Sequence, residues 1–294
     1  MQADNPETEP RRCRIVFNAD DFGLTPGINA GIVHAYRNGV VRSTSLVPGG
    51  PAFDDAVSRA ATCGYLGVGV HLYLTQEAPV AGEPVVEQGS LDGEGRFPGL
   101  GTTAMAAFRD RIDIPAVERE WRAQIEKVME AGITPTHLDG HQWAHMLPGL
   151  FPLCVDLARE FGISRIRTHL RDRLAKGAGL ARYLEWRLLH RWCRRHVLPH
   201  LPGSMPAHPT IGFLHAGGRL SVDYVADMLG RLAEHHPVVE VMLHPGQPDG
   251  DSEARYGGWG YDWEHDRGLA ESPELSRALL GFRPVITSFG DLPE

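Results

Sequence analysis

The chain has 294 residues, 42% of them hydrophobic, and a formal net charge of −8 at pH 7. This length suits a single α/β barrel with a large core, and the acidic charge argues against a nucleic-acid partner. The four cysteines are widely spaced and lie in apolar segments, which argues against a disulfide framework or a zinc cluster and fits reduced thiols in the cytoplasm.

Strand-like and helix-like segments alternate along the chain. A short apolar run at 13–17 predicts the first strand, and Thr25 with Pro26 begins a helix that Gly39 ends. The same patterns predict strands at 43–47, 66–75, 137–141, 163–167, 238–244 and 284–288, and helices at about 51–61, 117–128 and 153–161. Such alternation is typical of parallel strands joined by crossover helices.

We therefore predict one α/β domain at 13–294, a (β/α) barrel in regular, distorted or seven-stranded form, after a polar tail at 1–12. The tail lacks the apolar core of a secretion signal, and no run approaches the roughly 18 apolar residues of a membrane span. The sequence thus predicts a cytoplasmic protein, either soluble or peripheral to the inner membrane.

Two adjacent carboxylates, Asp20 and Asp21, follow the first predicted strand and precede Gly23. Adjacent side chains on a strand point to opposite faces, but a turn at Gly23 would bring both to one pocket edge. One carboxylate would then hold a cation while the other acts as a base. The alternative is that the pair only caps the next helix, although Thr25 already occupies the cap position.

Imidazoles recur in later strands. His71 is the only acidic or basic side chain of its predicted strand, and nine residues contain four more candidates, His137, Asp139, His141 and His145. In an extended chain the first three of these share a face, whereas a helical continuation would place His141 and His145 on one side. Imidazoles with one carboxylate form three-ligand sites that leave positions open on a catalytic divalent metal. For His71, the alternative is a hydrogen-bonded core residue.

His244 ends another apolar strand, at the edge where (β/α) barrels build their sites, and its imidazole would donate a proton to a leaving amine. Shortly after it, residues 256–263 interleave aromatic side chains with glycines. Aromatic faces such as that of Trp259 suit stacking on sugar rings, and a packed loop is the alternative.

Two segments interrupt the alternation. Residues 77–113 are rich in glycine and proline and follow the His71 strand, so we expect a substrate lid rather than a linker. Residues 171–202 contain eight Arg and Lys side chains against two acidic ones, together with many apolar residues. This pattern predicts a basic amphipathic helix in peripheral contact with a membrane. The alternatives are a solvated helix and a homo-oligomer contact.

Four short sequence motifs resemble those of the YdjC-like carbohydrate deacetylases and follow one another in the same order as in that family. The family includes a deacetylase of chitooligosaccharides. The motifs are Asn-Ala-Asp-Asp-Phe-Gly at 18–23, Gly-Val-His-Leu at 69–72, Thr-His-Leu-Asp-Gly-His at 136–141 and Leu-His-Pro-Gly at 243–246, and the likeness extends to the tail at 272–292. The resemblance implies that Asp21, His71 and His141 hold the metal. It also implies that Asp20 is the general base and that His244 acts as an acid or orients the substrate.

The chain departs from the family pattern where Gly140 replaces a serine and where Gln142 and Trp143 interrupt a run of histidines. The ligand position His141 is kept. We assign five further residues to substrate binding: His137, Asp139, Trp143, His145 and Trp259. The extra sequence at 171–202 is similar to that of hopanoid-associated glycolipid deacetylases, and a lipid-linked sugar would suit such an insertion.

We therefore predict a hydrolase of a linear amide, an N-deacetylase that uses one divalent ion, Mg²⁺ or Zn²⁺. It would remove acetyl from an amino sugar, free or lipid-linked, and release acetate. An acetamide is a poor electrophile and needs both a strong nucleophile and charge stabilisation at its carbonyl oxygen. One alternative is another metal-dependent hydrolase, acting on a phosphoester or a cyclic amide. The other is a non-catalytic carbohydrate-binding protein, which would not need Asp20.

Overall fold

The computed structural model describes residues 13–86, 91–171 and 179–293. The predicted tail at 1–12 lies outside the described residues, as do residues 172–178 of the basic insertion. Most buried apolar side chains of the described part belong to one contiguous cluster around the strands.

A curled parallel sheet forms the centre of the fold. Its strands are β1 (Arg14–Phe22), β2 (Ser43–Leu46), β3 (Gly67–Leu72), β4 (Leu138–Gly140), β5 (His169–Leu170), β6 (Pro209–Ile211), β7 (Val238–Leu243) and β8 (Val285–Ile286). Seven of them lie in the order β4-β3-β2-β1-β7-β6-β5, and β8 pairs with the start of β1. Every pairing between these strands is parallel. The predicted α/β barrel-like class is confirmed.

The two edges of the curled sheet approach each other just before β5. The Leu138 N–H of β4 donates a hydrogen bond of 2.9 Å to the Arg165 carbonyl, and the Arg167 N–H donates one of 3.0 Å to the Leu138 carbonyl. Because of this contact, side chains from both edges meet in the interior of the sheet.

Helices pack around the sheet. Their bounds in the described part are α1 (Pro26–Asn38), α2 (Phe53–Ala60), α3 (Leu100–Phe108), α4 (Ile114–Glu130), α5 (Leu150–Glu160), α6 (Leu180–Trp192), α7 (Val222–Leu232), α8 (Gly250–Tyr256), α9 (Trp263–Glu271) and α10 (Pro273–Leu280).

Local sequence signals account for the helix starts. Thr25 Oγ1 accepts a hydrogen bond of 3.1 Å from the Ile28 N–H, and Pro26 occupies the first turn of α1, as predicted. Asp113 caps α4 in the same way, with a bond of 3.0 Å from the Ala116 N–H. The predicted apolar face of α4 is fully buried, and it consists of Val117, Trp121, Ile125 and Val128.

The structure corrects two of the predicted strands. Residues 163–167 form only a single bridge between Ile166 and Leu138, and β5 starts later, at His169. Strand β4 ends at Gly140, and a 3-10 helix follows at His141–Met146. Gln142 and Trp143 within it have φ values of 51° and 60°, in the left-handed region. The strand predicted at 137–141 is thus present but ends one residue early, and the continuation at 141–145 is not the regular α-helix that was predicted.

The predicted basic helix is present. Helix α6 continues into a π-helical turn at Cys193–Val197 and a 3-10 turn at Leu198–His200. Its side chains Leu180, Leu184 and Leu188 are 73%, 50% and 71% exposed. None of the described helices combines the length and the hydropathy that crossing a bilayer requires.

Candidate active site

The acidic and imidazole residues predicted for catalysis and metal binding meet at one rim of the sheet. They lie at or just after the carboxyl ends of β1, β3, β4 and β7, and are Asp20, Asp21, His71, His141 and His244. This edge is where (β/α) barrels carry their active sites.

A local distortion of β1 turns both carboxylates toward the same pocket. The register of β1 against β2 shifts between Ala19 and Phe22, and Asp21 has a φ of 71°. A bulge with a positive φ redirects a side chain that regular pleating would send to the other face. Gly23, with a φ of 102°, then turns the chain toward α1.

Asp21, His71 and His141 form a compact cluster of ligand atoms. Asp21 Oδ1 lies 3.1 Å from His141 Nδ1 and 3.6 Å from His71 Nε2. One ligand atom from each residue lies within 4.8 Å of the other two, and all three side chains are buried. Two imidazoles and one carboxylate are a donor set for a divalent ion with open coordination positions.

Asp139 fixes the orientation of His71. The His71 Nδ1–H donates a hydrogen bond of 2.7 Å to Asp139 Oδ1, which leaves Nε2 directed toward Asp21. Ser45 Oγ donates to Asp139 Oδ2 at 2.7 Å and lies 3.1 Å from His137 Nε2. A carboxylate behind an imidazole in this way selects the tautomer that binds a metal.

A buried arginine, which the sequence analysis did not single out, holds three interior carboxylates together. Arg167 donates to both oxygens of Asp20, at 2.7 and 2.8 Å, and to Glu240 Oε1 at 2.9 Å. Its Nη1 also lies 2.9 Å from Asp139 Oδ2. One guanidinium against three carboxylates leaves excess negative charge beside the Asp21 cluster, and this charge favours a bound cation.

Burial and neighbouring charges shift several pKa values in this region. Burial alone would raise the pKa of Asp21, but the hydrogen bond with His141 and the imidazole charges lower it to about 2. Burial alone would lower the pKa of His71, but the carboxylate of Asp139 and its hydrogen bond raise it to about 9. Burial lowers the pKa values of His137 and His145 to about 4, so both are neutral at pH 7.

The cluster forms the floor of a pocket with a volume of about 260 Å³, whose wall includes Trp143, Trp259 and Tyr261. The Trp259 ring centroid lies 5.3 Å from that of His141, and the Tyr261 centroid lies 4.7 Å from that of His244. An aromatic ring therefore lies beside each of the two imidazoles at the wall of the pocket.

Both segments that interrupt the strand–helix alternation reach this pocket. Leu100 of α3, from the predicted lid at 77–113, and Glu185 of α6, from the basic insertion, line its wall. Gln142 also lines it, and its Nε2–H donates a hydrogen bond of 2.7 Å to Gln76 Oε1.

Three residues assigned to substrate binding lie behind the pocket. Among the described residues that line it, His137, Asp139 and His145 do not appear, and each is 0% exposed. His145 Nε2–H donates a hydrogen bond of 2.8 Å to the Arg167 carbonyl, so this ring supports the arginine. Each of these three side chains already makes tertiary hydrogen bonds.

His244 is held by an acid that the sequence analysis also missed. The His244 N–H donates a hydrogen bond of 2.9 Å to Asp266 Oδ2, and His244 Nδ1 lies 4.0 Å from the same oxygen. Burial raises the pKa of Asp266. The available sequence signal was the position of Asp266 on the face of α9 that also carries Trp263, Leu269 and Ala270. An acid on a buried helix face needs a partner.

Known proteins resemble this chain over most of its length. A carbohydrate deacetylase of Vibrio vulnificus (strain CMCP6) is 33% identical over 282 residues, 95% of this chain and 96% of that protein. A carbohydrate deacetylase of Listeria monocytogenes serotype 4b (strain CLIP80459) is 42% identical over 158 residues, 53% of this chain and 61% of that protein.

The crystal structure of a proposed cellobiose-phosphate cleavage protein from Enterococcus faecalis V583 has the same fold. Its TM-score is 0.74 at 22% identity, over 96% of this chain and 100% of that one. The sequence profile of YdjC-like proteins matches residues 14–280. With this match and the full-length relatives, the chain belongs to the YdjC-like protein family.

Proposed function

We propose that this protein is a metal-dependent carbohydrate N-deacetylase, which hydrolyses the acetamide of an N-acetylated amino sugar to a free amine and acetate. The observation that carries the proposal is the buried cluster of Asp21, His71 and His141 beside Asp20 at the floor of a pocket. Full-length relatives named carbohydrate deacetylases support the reaction class.

Asp21, His71 and His141 would hold one divalent ion, Mg²⁺ or Zn²⁺. Their donor atoms fit such an ion in type and spacing, and the surplus of interior carboxylates over Arg167 would balance its charge. Two imidazole ligands favour Zn²⁺ over Mg²⁺, which prefers oxygen. The chemistry that a divalent ion supplies in such a site is polarisation of the amide carbonyl and activation of water.

Asp20 would act as the general base. Its carboxylate lines the pocket beside Asp21, and Arg167 and Asn18 hold its orientation through hydrogen bonds of 2.7 and 2.8 Å. A carboxylate that is fixed within hydrogen-bond reach of the attacking water accepts the water proton as the hydroxyl adds to the acetyl carbon.

His244 would complete the reaction as the general acid. Its ring lines the same pocket, with Asp266 Oδ2 4.0 Å from Nδ1 and the centroid of the Tyr261 ring 4.7 Å from its own. The imidazolium would donate its proton to the nitrogen as the C–N bond breaks, which releases the sugar as an amine. The nearby Asp266 carboxylate would stabilise the charged ring.

Trp143 and Trp259 would contact the sugar, because their rings line the pocket and offer apolar faces to the C–H groups of a pyranose. His137, Asp139 and His145 would act as positioning residues behind the pocket. Asp139 orients His71, His137 shares Ser45 with Asp139, and His145 supports the backbone of Arg167.

In this proposal the amino sugar is free or lipid-linked. The protein would be cytoplasmic and would contact a membrane peripherally through residues 171–202. The support is helix α6, whose exposed leucines alternate with exposed arginines. Apolar side chains flanked by cations suit the surface of an anionic membrane.

The test is acetate release from N-acetylated sugars by purified protein of verified metal content. We expect acetate and free amine in equal amounts from at least one N-acetylhexosamine oligosaccharide or glycolipid. Release of phosphate from sugar phosphates without any acetate would support the phosphoester alternative instead. Sugar binding without turnover of any acetamide would support a non-catalytic role.

A further inference from the structure

Two buried acids of the described chain take no part in the proposed reaction or in the network around Arg167. They are Glu77 and Glu120, which are 3% and 1% exposed. Glu120 has a structural role, because it accepts hydrogen bonds of 2.9 and 2.7 Å from the backbone N–H groups of Val80 and Ala81. Glu77 makes a different kind of contact.

The carboxylate of Glu77 faces the end of α8. The Tyr256 O–H donates a hydrogen bond of 2.8 Å to Glu77 Oε1, and Arg255 Nη2 lies 3.9 Å from Glu77 Oε2. Tyr256 is itself 3% exposed. Burial raises the pKa of Glu77, so its charged form is costly at this position. An apolar side chain would fill the same site without that cost, so stability alone does not account for an acid here.

The backbone at Glu77 is held from the core side. The Glu77 carbonyl accepts a hydrogen bond of 2.9 Å from the Phe97 N–H, and the Gln76 N–H donates one of 3.1 Å to the Phe97 carbonyl. Phe97 is 1% exposed and belongs to the main apolar cluster. The Glu77 carboxylate is therefore a fixed point against which another element can be positioned.

The loop that follows Tyr256 has few constraints of its own. It consists of a 3-10 turn at Gly257–Trp259 and then Gly260, whose φ of 67° is left-handed. Among the described residues beyond their chain neighbours, none has an atom within 4 Å of the place that a Cβ would take at Gly258 or Gly260. Glycines without such neighbours allow many backbone conformations. The direction in which the loop leaves Tyr256 therefore decides where Trp259 lies.

Ring contacts connect Tyr256 with the catalytic pocket. The centroids of the Tyr256 and Trp259 rings lie 4.7 Å apart, and the Trp259 centroid lies 5.3 Å from that of His141. The contacts thus run without a gap from the Glu77 carboxylate through Tyr256 to the Trp259 ring at the pocket wall. Loss of the bond between Glu77 and Tyr256 would release this chain of contacts at its fixed end.

We propose that Glu77 and Tyr256 are positioning residues that hold the ring of Trp259 at the wall of the catalytic pocket, where it packs on the sugar. The inference rests on the proposed function, in which Trp259 contacts the substrate, and it adds the groups that fix this contact. Neither Glu77 nor Tyr256 is among the described residues that line the pocket, so both act through the tryptophan.

Fluorescence of Trp259 tests the proposal without sugar or turnover. Its emission is the difference between each protein and the same protein with Trp259→Phe. Tyr256→Phe removes the donor and Glu77→Leu removes the acceptor, so we expect a red-shifted emission and stronger acrylamide quenching in both. Glu77→Gln keeps an acceptor oxygen for the tyrosine and should resemble the wild type. Unchanged Trp259 emission in Tyr256→Phe and Glu77→Leu would overturn the proposal.

Glu120→Gln is the matched control, since it alters an equally buried acid that is bonded to the same segment at Val80 and Ala81. We expect no change in the Trp259 emission of this variant. An equal shift would mean that any disturbance of the segment moves the tryptophan, and it would overturn the specific role of Glu77.

The kinetics of di-N-acetylchitobiose hydrolysis test the consequence for the substrate. We expect Tyr256→Phe and Glu77→Leu to raise KM about three- to tenfold, the scale of one aromatic contact, with kcat nearly unchanged. In a Trp259→Ala background the same substitutions should raise KM no further, because they act through that ring. Additive effects would overturn the proposal. An absence of hydrolysis bears on the deacetylase proposal alone, and the fluorescence still decides whether Glu77 and Tyr256 hold Trp259.

Discussion

Asp20 and Asp21 are neighbours in sequence but have different surroundings. Asp21 lies among the imidazoles of His71 and His141, whereas both oxygens of Asp20 pair with the guanidinium of Arg167. The bulge at Asp21 separates the two environments while it keeps both side chains at one pocket. Two chemically identical groups can therefore perform two roles.

We expect Asp20→Asn to keep the fold and the bound ion but to lose at least about 10²-fold in rate, the usual scale for removal of a general base. Acetate release and metal content of the purified variant are the measurements. Asp156→Asn, on the exposed surface of α5, is the control and should behave as wild type. Unchanged turnover of Asp20→Asn would assign the base to another group.

Arg167 pairs with Asp20, Asp139 and Glu240 in the interior. Its link to Asp20 spans 147 residues of sequence. The only local signal was a charged residue at the end of the short segment 163–167, in which apolar and polar residues are mixed. The identity of its partners depends on the tertiary fold. This network could not be predicted from sequence spacing.

Arg167→Met should destabilise the protein by about 3–5 kcal/mol, because it leaves buried carboxylates without a counter-charge. Urea denaturation at pH 7 measures the loss. Arg119→Met, which removes a surface pair between Arg119 and Glu83, is the matched control and should have little effect. A similarly small loss of stability in Arg167→Met would show that other groups compensate the charge of the buried carboxylates.

At the scale of elements, strand–helix alternation, the Thr25 cap and the buried face of α4 were predictable from the sequence, because periodicity and capping are local. The backbone conformation of residues 141–146 was not predictable from the sequence. Gln142 and Trp143 adopt left-handed conformations that non-glycine residues rarely choose alone. Gln142 is held by its hydrogen bond with Gln76, and Trp143 is held by the guanidinium of Arg167 over its ring.

Helix α6 and the turn that follows it belong to the basic segment 171–202 of an otherwise acidic chain. Four of its arginines, or of the turn that follows, are exposed: Arg187, Arg191, Arg194 and Arg195. On an anionic bilayer each would contribute on the order of 1 kcal/mol, and salt would weaken the attraction. The exposed leucines of the same helix would insert at the interface.

We expect the protein to co-sediment with anionic vesicles but not with neutral ones. Replacement of the four arginines by glutamine should abolish this binding while activity on a soluble sugar survives. The control replaces four exposed arginines on other helices by glutamine, which changes the net charge equally: Arg119, Arg159, Arg231 and Arg277. Binding that ignores lipid charge, or equal loss in both variants, would argue against docking through α6.

At the scale of the whole molecule, the centre of the sheet holds three buried carboxylates around the guanidinium of Arg167, which leaves excess negative charge. The ring of Trp259 lies beside His141 at the adjoining pocket. The metal-free site would retain a proton on His71, whose pKa is raised to about 9 by Asp139. Asp21, with a pKa of about 2, is already ionised at neutral pH. Binding of a cation must therefore displace the His71 proton.

The affinity for Zn²⁺ should rise about tenfold per pH unit as the pH approaches about 9, the pKa of His71, and level off above it, because one proton is displaced until His71 is neutral. Isothermal titration of metal-free protein measures this dependence. Asp139→Asn removes the carboxylate that raises the His71 pKa, so the plateau should begin at a lower pH. A wild-type affinity that is independent of pH would place the ion elsewhere.

The proposed amide hydrolysis depends on the ion that Asp21, His71 and His141 would hold. The most direct measurement is the initial rate of acetate release by chelator-stripped protein as Zn²⁺ or Mg²⁺ is added back. We predict no activity in the stripped protein, full recovery at one equivalent of ion, and no recovery in His141→Ala. Full activity of the stripped protein, or recovery of His141→Ala at one equivalent, would contradict the account.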